Sequence, residues 1–236
     1  MRKIFYFILA CLFTLPVFSA DNPWGYPGDA VGYWAFENTL INIADFGETR
    51  GVNHGCAFVE GRDGKAIRLN GTSNSVTLGR PEALEILGKI TICAWIKPEH
   101  TESSKQGEES IQNIVAKGHS NEPSGEIYLR ISNGDYHIGV WNGNNFTADF
   151  PIPKKDLGTW VHLAGVYDGT YWRLYRNGEQ VSQLKAPVGA VLVNADWAIG
   201  SNGEGKSRFF QGAIDEVRIY NRGLTAKEIK KLVGSK

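Results

Sequence analysis

Short runs of apolar, β-branched and aromatic residues recur along the chain, each closed by Gly, Asn, Asp or Pro. They are VGYWAF (31–36), KAIRLN (65–70), SVTLG (75–79), ITICAWIKP (90–98), NIVAKG (113–118), EIYLRIS (126–132), YHIGVWN (136–142), WVHLAGVYD (160–168), YWRLYRN (171–177), WAIGS (197–201) and GAIDEVRIY (212–220). Runs of this kind, bounded by turn residues, predict strands. SNGD, YDGT and RNGE separate three of them, and the Asn-Gly pair in RNGE suits a tight hairpin turn, whose central residues take positive φ. The pattern is that of an all-β fold, an antiparallel sandwich or barrel. Helix signals are few. PEALEIL (81–87) predicts a single turn or short helix. TAKEIKKLV (225–233) predicts a short closing helix, with Thr225 and Glu228 spaced as a capping box. HTESSKQGEES (100–110) is polar and reads as a surface loop.

The two-residue rhythm also assigns faces. Trp172 and Leu174 fall on one side of YWRLYRN, predicting core, and Tyr171, Arg173 and Tyr175 fall on the other, predicting an outward row. Phe210, Gly212 and Ile214 share a phase that Val217 and Ile219 break. The last strand is therefore buried on both faces, or reset by a β-bulge at Asp215-Glu216. His162, inside WVHLA, is expected to be buried and hydrogen-bonded within the sheet.

The first twenty residues, MRKIFYFILACLFTLPVFSA, have a basic start, an apolar run and small residues at Ser19 and Ala20. This is the anatomy of a signal peptide, so residues 1–20 are expected to be removed and residues 21–236 to form one domain, secreted or periplasmic. The apolar run is too short for a membrane span, and no later segment approaches one. A lipid anchor at Cys11 is the weaker alternative. Without the leader, Cys56 and Cys93 remain, which in an exported chain form one disulfide or stand as two core thiols. The 25 basic and 25 acidic side chains give no net charge, and no basic run argues for nucleic acid. Gly200 to Ser207 spells G-x-x-x-x-G-K-S. A phosphate loop must open a helix, whereas RFFQGAIDEVRIY reads as a strand, so no nucleotide is expected.

Several phrases, in order, resemble the LamG-like jelly-roll family of the concanavalin A-like lectin/glucanase superfamily: GYWAFENTLINIADFG, GRDGKAIRLNGTSNSVTLG, ITICAWIKPE, IVAKG, GTWVHLAGVYDGTYWRLYRNGEQV and WAIGSNGEGKSRFFQGAIDEVRIYNRGLTAKEI. The resemblance implies an antiparallel jelly-roll β-sandwich of two curved sheets with a short C-terminal helix. It also implies a structural Ca²⁺ in which Asp215 serves as a ligand, with Glu37 and Asp45 as weaker candidates, against the alternative of a salt bridge or backbone N–H groups at Asp215. It does not fix a function, because the fold carries both binding modules and glycosidases.

The superfamily's glucanases place two carboxylates on one strand face. Here no E-x-D-x-x-E occurs, and the adjacent Asp215 and Glu216 point to opposite faces of a regular strand, so no catalytic residue is assigned. Seven Trp and nine Tyr in an exported sandwich offer flat faces for sugar C–H groups. The expectation is a non-catalytic module that binds a polysaccharide or cell-surface glycan; a protein-adhesion module is the alternative, and a glycosidase the remoter one. Trp141, at a strand end beside Asn142, Asn144 and Asn145, is the leading ligand contact, with Asn142 and Asn144 alongside it, followed by Tyr128, Arg130, Tyr136 and Tyr175.

Overall fold

A computed structural model of the protein describes residues 29–45, 47–102, 110–119 and 125–234. The expected leader, Cys11 and the expected mature start near Asp21 lie outside the described residues.

The strands are β1 (Gly32–Trp34), β2 (Val52–His54), β3 (Ala57–Glu60), β4 (Lys65–Asn70), β5 (Ser75–Gly79), β6 (Ile90–Pro98), β7 (Ile111–His119), β8 (Gly125–Ser132), β9 (Asp135–Trp141), β10 (Asn145–Pro151), β11 (Val161–Tyr167), β12 (Tyr171–Arg176), β13 (Glu179–Lys185), β14 (Trp197–Ile199) and β15 (Gln211–Tyr220). One helix, α1 (Ala226–Gly234), follows. Every run predicted as a strand is one. PEALEIL forms a single 3₁₀ turn at Glu82–Leu84. The capping box is formed: Thr225 N–H donates to Glu228 Oε2 at 2.7 Å, and Glu228 N–H donates back to Thr225 Oγ1 at 3.3 Å.

The strands make two antiparallel sheets, so the molecule is an all-β sandwich. One sheet runs β13-β12-β11-β6-β15-β4-β3, with β1 also paired to β15; the other runs β10-β9-β8-β7-β14-β5-β2. The four strands that the apolar pattern missed, β2, β3, β10 and β13, are the four ends of these rows. The reason is physical: an end strand borders solvent along one side and shields less from water, so its residues need not form an apolar run. Thus β2 is exposed throughout, and β13 carries no fully buried residue.

The first and last strands meet, with Gly32 opposite Ile219 and Trp34 opposite Val217. β15 is therefore interior, paired with β1, β4 and β6. Both readings of its broken rhythm hold. The strand is buried from Gly212 onward, and its register against β6 shifts between Asp215 and Arg218, where Glu216 takes φ 52°. Between the sheets, Ile92, Ala94 and Ile96 of β6 pack with Ile127, Leu129 and Ile131 of β8 and with Trp34, Trp172 and Trp197. The sheets approach so closely that a Cβ at Gly165 would lie 2.0 Å from Ile138.

A second apolar cluster lies on the outer side of the eight-stranded sheet, where Cys93, Tyr175 and Tyr220 pack with Ile229 and Leu232 of α1. This corrects one expectation and decides one alternative left open. Tyr175 leaves the β12 face that was expected to be open, but the amphipathic helix covers it. Cys93 belongs to this outer cluster and Cys56 to the inter-sheet core, so the two stand as free buried thiols rather than a disulfide. Burial pushes both thiols up to about 12. His162 is buried as expected, but neither ring nitrogen has a hydrogen-bond partner; Trp95 meets the ring edge-on at 5.4 Å between centroids.

Candidate ligand-binding site

Alternation along β8 turns Ile127, Leu129 and Ile131 into the core and Glu126, Tyr128 and Arg130 to the opposite face. Register then fixes what stands beside them: on β9, Glu126 lies opposite Trp141, Tyr128 opposite Gly139 and Arg130 opposite His137. On β10, Asn145 lies opposite Trp141 and Thr147 opposite Gly139. The outer face of the seven-stranded sheet thereby gathers a concavity of about 520 Å³ whose lining includes Glu126, Arg130, His137, Trp141, Asn145 and Arg208.

Gly139 lets the β10 backbone approach, since a Cβ there would lie 2.1 Å from the Phe146 carbonyl oxygen. The buried Tyr128 reaches across β9 at this position, and its hydroxyl meets Asn145 Oδ1 at 2.8 Å and Thr147 Oγ1 at 2.6 Å. The ring in turn carries the Arg130 guanidinium 3.6 Å above its centroid. Burial raises the Tyr128 phenol, so it remains a neutral donor.

At the base, the Glu126 side chain is 1% exposed and gathers two cations. Arg208 Nη1 lies 2.9 and 2.8 Å from its two oxygens, Arg130 Nη1 lies 3.2 Å from Oε2, and Asn113 Nδ2 lies 3.3 Å from Oε1. A buried carboxylate needs this, because desolvated charge is costly unless paired and hydrogen-bonded. Arg208 arrives from the Gly-rich loop that spells like a phosphate loop. It holds a left-handed φ of 58°, its carbonyl accepts the Asn113 N–H at 2.8 Å, and the chain then enters β15. The loop thus opens a strand and delivers a guanidinium into the cavity. The third basic group, His137, is held below its ordinary range by burial and then by Arg130, while Asp149 and Asp135 oppose that shift.

The sequence-predicted ligand residues divide. Trp141 and Arg130 line the cavity, and Tyr128 builds it from beneath. Asn142 and Asn144 lie in the exposed turn after Trp141, where Asn144 N–H donates to Asn142 Oδ1 at 3.4 Å. Tyr136 belongs to the core, and its hydroxyl donates to Asp156 Oδ2 at 3.1 Å. Its place one residue from His137 on a strand already forbids a shared face. Sequence reasoning missed Glu126, His137 and Arg208, and placed Asn145 only as one of the amides beside Trp141. Strand alternation from Tyr128 and Trp141 could have found Glu126 and His137; nothing in the sequence pointed to Arg208.

The carboxylates suggested for calcium do not converge: among the described residues no group of three or more His, Cys, Asp or Glu is placed to hold a metal ion. Asp215 Oδ2 accepts the N–H groups of Arg62 at 2.8 Å and Asp63 at 3.2 Å, and Oδ1 accepts that of Glu216 at 2.7 Å. Glu37 Oε1 accepts the Lys65 N–H at 2.9 Å. Glu37 and Asp215 thus hold one turn, Gly61 to Lys65, from two sides. Asp45 caps its own loop through the N–H groups of Gly47 and Thr49, at 3.1 and 3.0 Å. These partners are backbone N–H donors, the alternative to a cation that the sequence left open at Asp215.

An antiparallel sandwich with a polar, aromatic-rimmed concavity on one sheet defines the class of a β-sandwich with a candidate binding face. More particularly, the chain belongs to the concanavalin A-like lectin/glucanases superfamily, whose laminin G family model matches residues 70–230. Mouse (Mus musculus) pappalysin-1 is 33% identical over 75 residues, which are 30% of this chain and 5% of that protein. The chain therefore spans only a small part of that relative. Among solved structures, domain 4 of AbnA, a GH43 extracellular arabinanase from Geobacillus stearothermophilus, in complex with arabinotriose, matches with TM-score 0.61 and 24% identity over 87% of this chain and 98% of that one. The Ruminococcus gnavus IT-sialidase CBM40 bound to α2,3-sialyllactose matches with TM-score 0.57 and 18% identity over 72% and 96%. The binding domain of Paraclostridial Mosquitocidal Protein 1 matches with TM-score 0.69 and 17% identity over 87% and 52%. At these identities the likeness concerns the fold. No helix among the described residues is long and apolar enough to cross a membrane.

Proposed function

We propose that this chain is an exported, non-catalytic module that binds carbohydrate in the concavity on the outer face of the seven-stranded sheet. The observation that carries the reading is the half-buried Trp141 indole set beside Asn145, His137 and the Arg130, Glu126 and Arg208 cluster in one open site. An indole face accepts the C–H side of a sugar ring, while amide, imidazole and guanidinium groups meet its hydroxyls. Superfamily membership and neighbours solved with saccharides support the same reading. Hydrolysis has less support: Glu126 is the one carboxylate lining the cavity among the described residues, and it is closed in by two guanidiniums, whereas a glycosidase sets two carboxyl groups across the scissile bond.

The test is a glycan array with the purified chain, followed by calorimetry on its best hit. Trp141→Ala is expected to keep the melt of the wild type and to lose roughly 1–3 kcal/mol of binding. A blank array, together with a captured protein partner, would replace carbohydrate with adhesion.

A further inference from the structure

We propose that the cavity is a trough for a stretch of glycan about three to four sugar units long, lying along β8 and β9, with Trp141 under one end unit and Ser132 and Asn133 beside the other. The inference rests on the carbohydrate reading above. The lining residues stand at both ends of β8. At one end Glu126 is paired with Trp141, and Asn145 follows on β10. At the other end Ser132 is paired with Ile111 and leads into the turn at Asn133. A strand rises about 3.3 Å per residue, so the two ends lie about 20 Å apart. Arg130 and His137, opposite one another, occupy the middle. With single bonds of about 1.5 Å, one pyranose ring advances a chain by about 5 Å, so a lone sugar on Trp141 falls well short of Asn133.

The direction follows from what closes the sides. By alternation Ala116 and Ala198 belong to the same outer face, since Val115, Trp197 and Ile199 belong to the core, yet both alanines are fully buried. The glycine-rich loop covers this part of the sheet. Gly203 N–H donates to the Gly118 carbonyl at 3.0 Å, a Cβ at Gly203 would lie 2.2 Å from the Asp196 carbonyl oxygen, and one at Gly205 would lie 3.2 Å from the Thr77 side chain on β5. On the opposite flank β10 ends the sheet. A chain laid across the strands towards β14 would run into that loop, whereas one laid along β8 and β9 meets the whole lining. The two ends also differ in chemistry. Trp141 offers an indole face, while the hydroxyls of Ser110 and Ser132 and the amide of Asn133 supply both donors and acceptors for sugar hydroxyls. Contacts spread along one ligand share a single cost of association, so each unit that reaches new lining adds affinity until the trough is filled.

The experiment uses the purified full chain and an array carrying arabinan, xylan, glucan, galactan and polysialic acid fragments, each at lengths from one sugar unit to six. Calorimetry on the series that gives the array signal then measures affinity in solution. Affinity is expected to rise at least about tenfold from one unit to four and to stay level from four to six, a reading that depends on no substitution. Asn133→Gly keeps the left-handed backbone, φ 51°, and removes the amide. It is expected to weaken the four-unit fragment and to leave the two-unit fragment unchanged, whereas Trp141→Ala should weaken both. Affinity already complete with one unit, a rise that continues evenly to six, or an Asn133→Gly protein that treats the two lengths alike overturns the trough and leaves the carbohydrate reading standing. A blank array overturns both.

Discussion

The hydroxyl of Tyr128 on β8 lies 2.6 Å from Thr147 Oγ1 on β10, reaching it across β9 at Gly139. A central strand thereby ties down the end strand of its sheet, and that end strand carries Asn145 into the cavity. Tyr128→Phe removes the hydroxyl from both Asn145 and Thr147, at an expected cost of roughly 1–2 kcal/mol. Gly139→Ala should cost more, because the new Cβ would lie 2.1 Å from the Phe146 carbonyl oxygen. Urea unfolding of both variants checks the order; a Gly139→Ala protein as stable as the wild type would mean that β10 is free to move away.

Two buried ionisable groups should shape stability against pH in opposite senses. Burial, with Arg218 adding to it, holds the His162 imidazole down at about 3 against an ordinary 6.5. The native state keeps it neutral, so its contribution is complete above 6.5 and drains away as pH falls towards 3. Burial raises Asp215 to about 7 from 3.8, against the lowering effect of its N–H partners. The native state keeps that proton, so its contribution is complete below about 4 and is lost as pH rises through 7. Denaturant midpoints from pH 4 to 8 are expected to show His162→Leu losing the acid decline. Asp215→Asn should lose the decline towards neutrality. Profiles superimposable on the wild type would refute both assignments.

His162→Leu carries a second expectation at neutral pH. Both ring nitrogens are buried without a partner, and an unsatisfied polar group replaced by an apolar one of similar size is near neutral or stabilising. The variant's melting temperature at pH 8 should therefore equal or exceed that of the wild type, and a loss of more than about 2 kcal/mol would reveal a hidden hydrogen bond.

Truncation after Gly203 removes β15, the strand that pairs with β1, β4 and β6, together with α1. The remaining chain is expected to show no cooperative melt. Any sharp transition near the wild-type temperature would mean that the sheet closes without its last strand.

Since the three suggested calcium carboxylates hold backbone N–H groups instead of meeting, the wild type is expected to melt at one temperature in excess calcium and in chelator. A site filled about 100-fold above its dissociation constant would add about 2.7 kcal/mol, a shift of several degrees for a domain of this size. A shift of that size, lost in Asp215→Ala, would restore the cation.

Sequence alone determined the elements whose residues meet a uniform environment. Interior strands shield apolar side chains from water, so β6, β8, β11 and β15 read as apolar runs. The capping box at Thr225 reads equally well because its hydrogen bonds are local. The break in rhythm at Asp215-Glu216 was legible for the same reason, since strand periodicity depends only on neighbouring residues. What the tertiary structure decided is everything that depends on residues distant along the chain. The end strands β2, β3, β10 and β13 are held by ladder bonds to neighbours and need no apolar signature. Tyr175 faces outward by alternation and is covered only because α1 folds back over its sheet. Cys56 and Cys93 form a pair in arithmetic and occupy different clusters in space. Trp141, Tyr128 and Arg130 announced themselves as aromatic and basic residues on two adjacent strands. Their meeting with Arg208 was decided by sheet register and by one left-handed residue at the end of a glycine-rich loop.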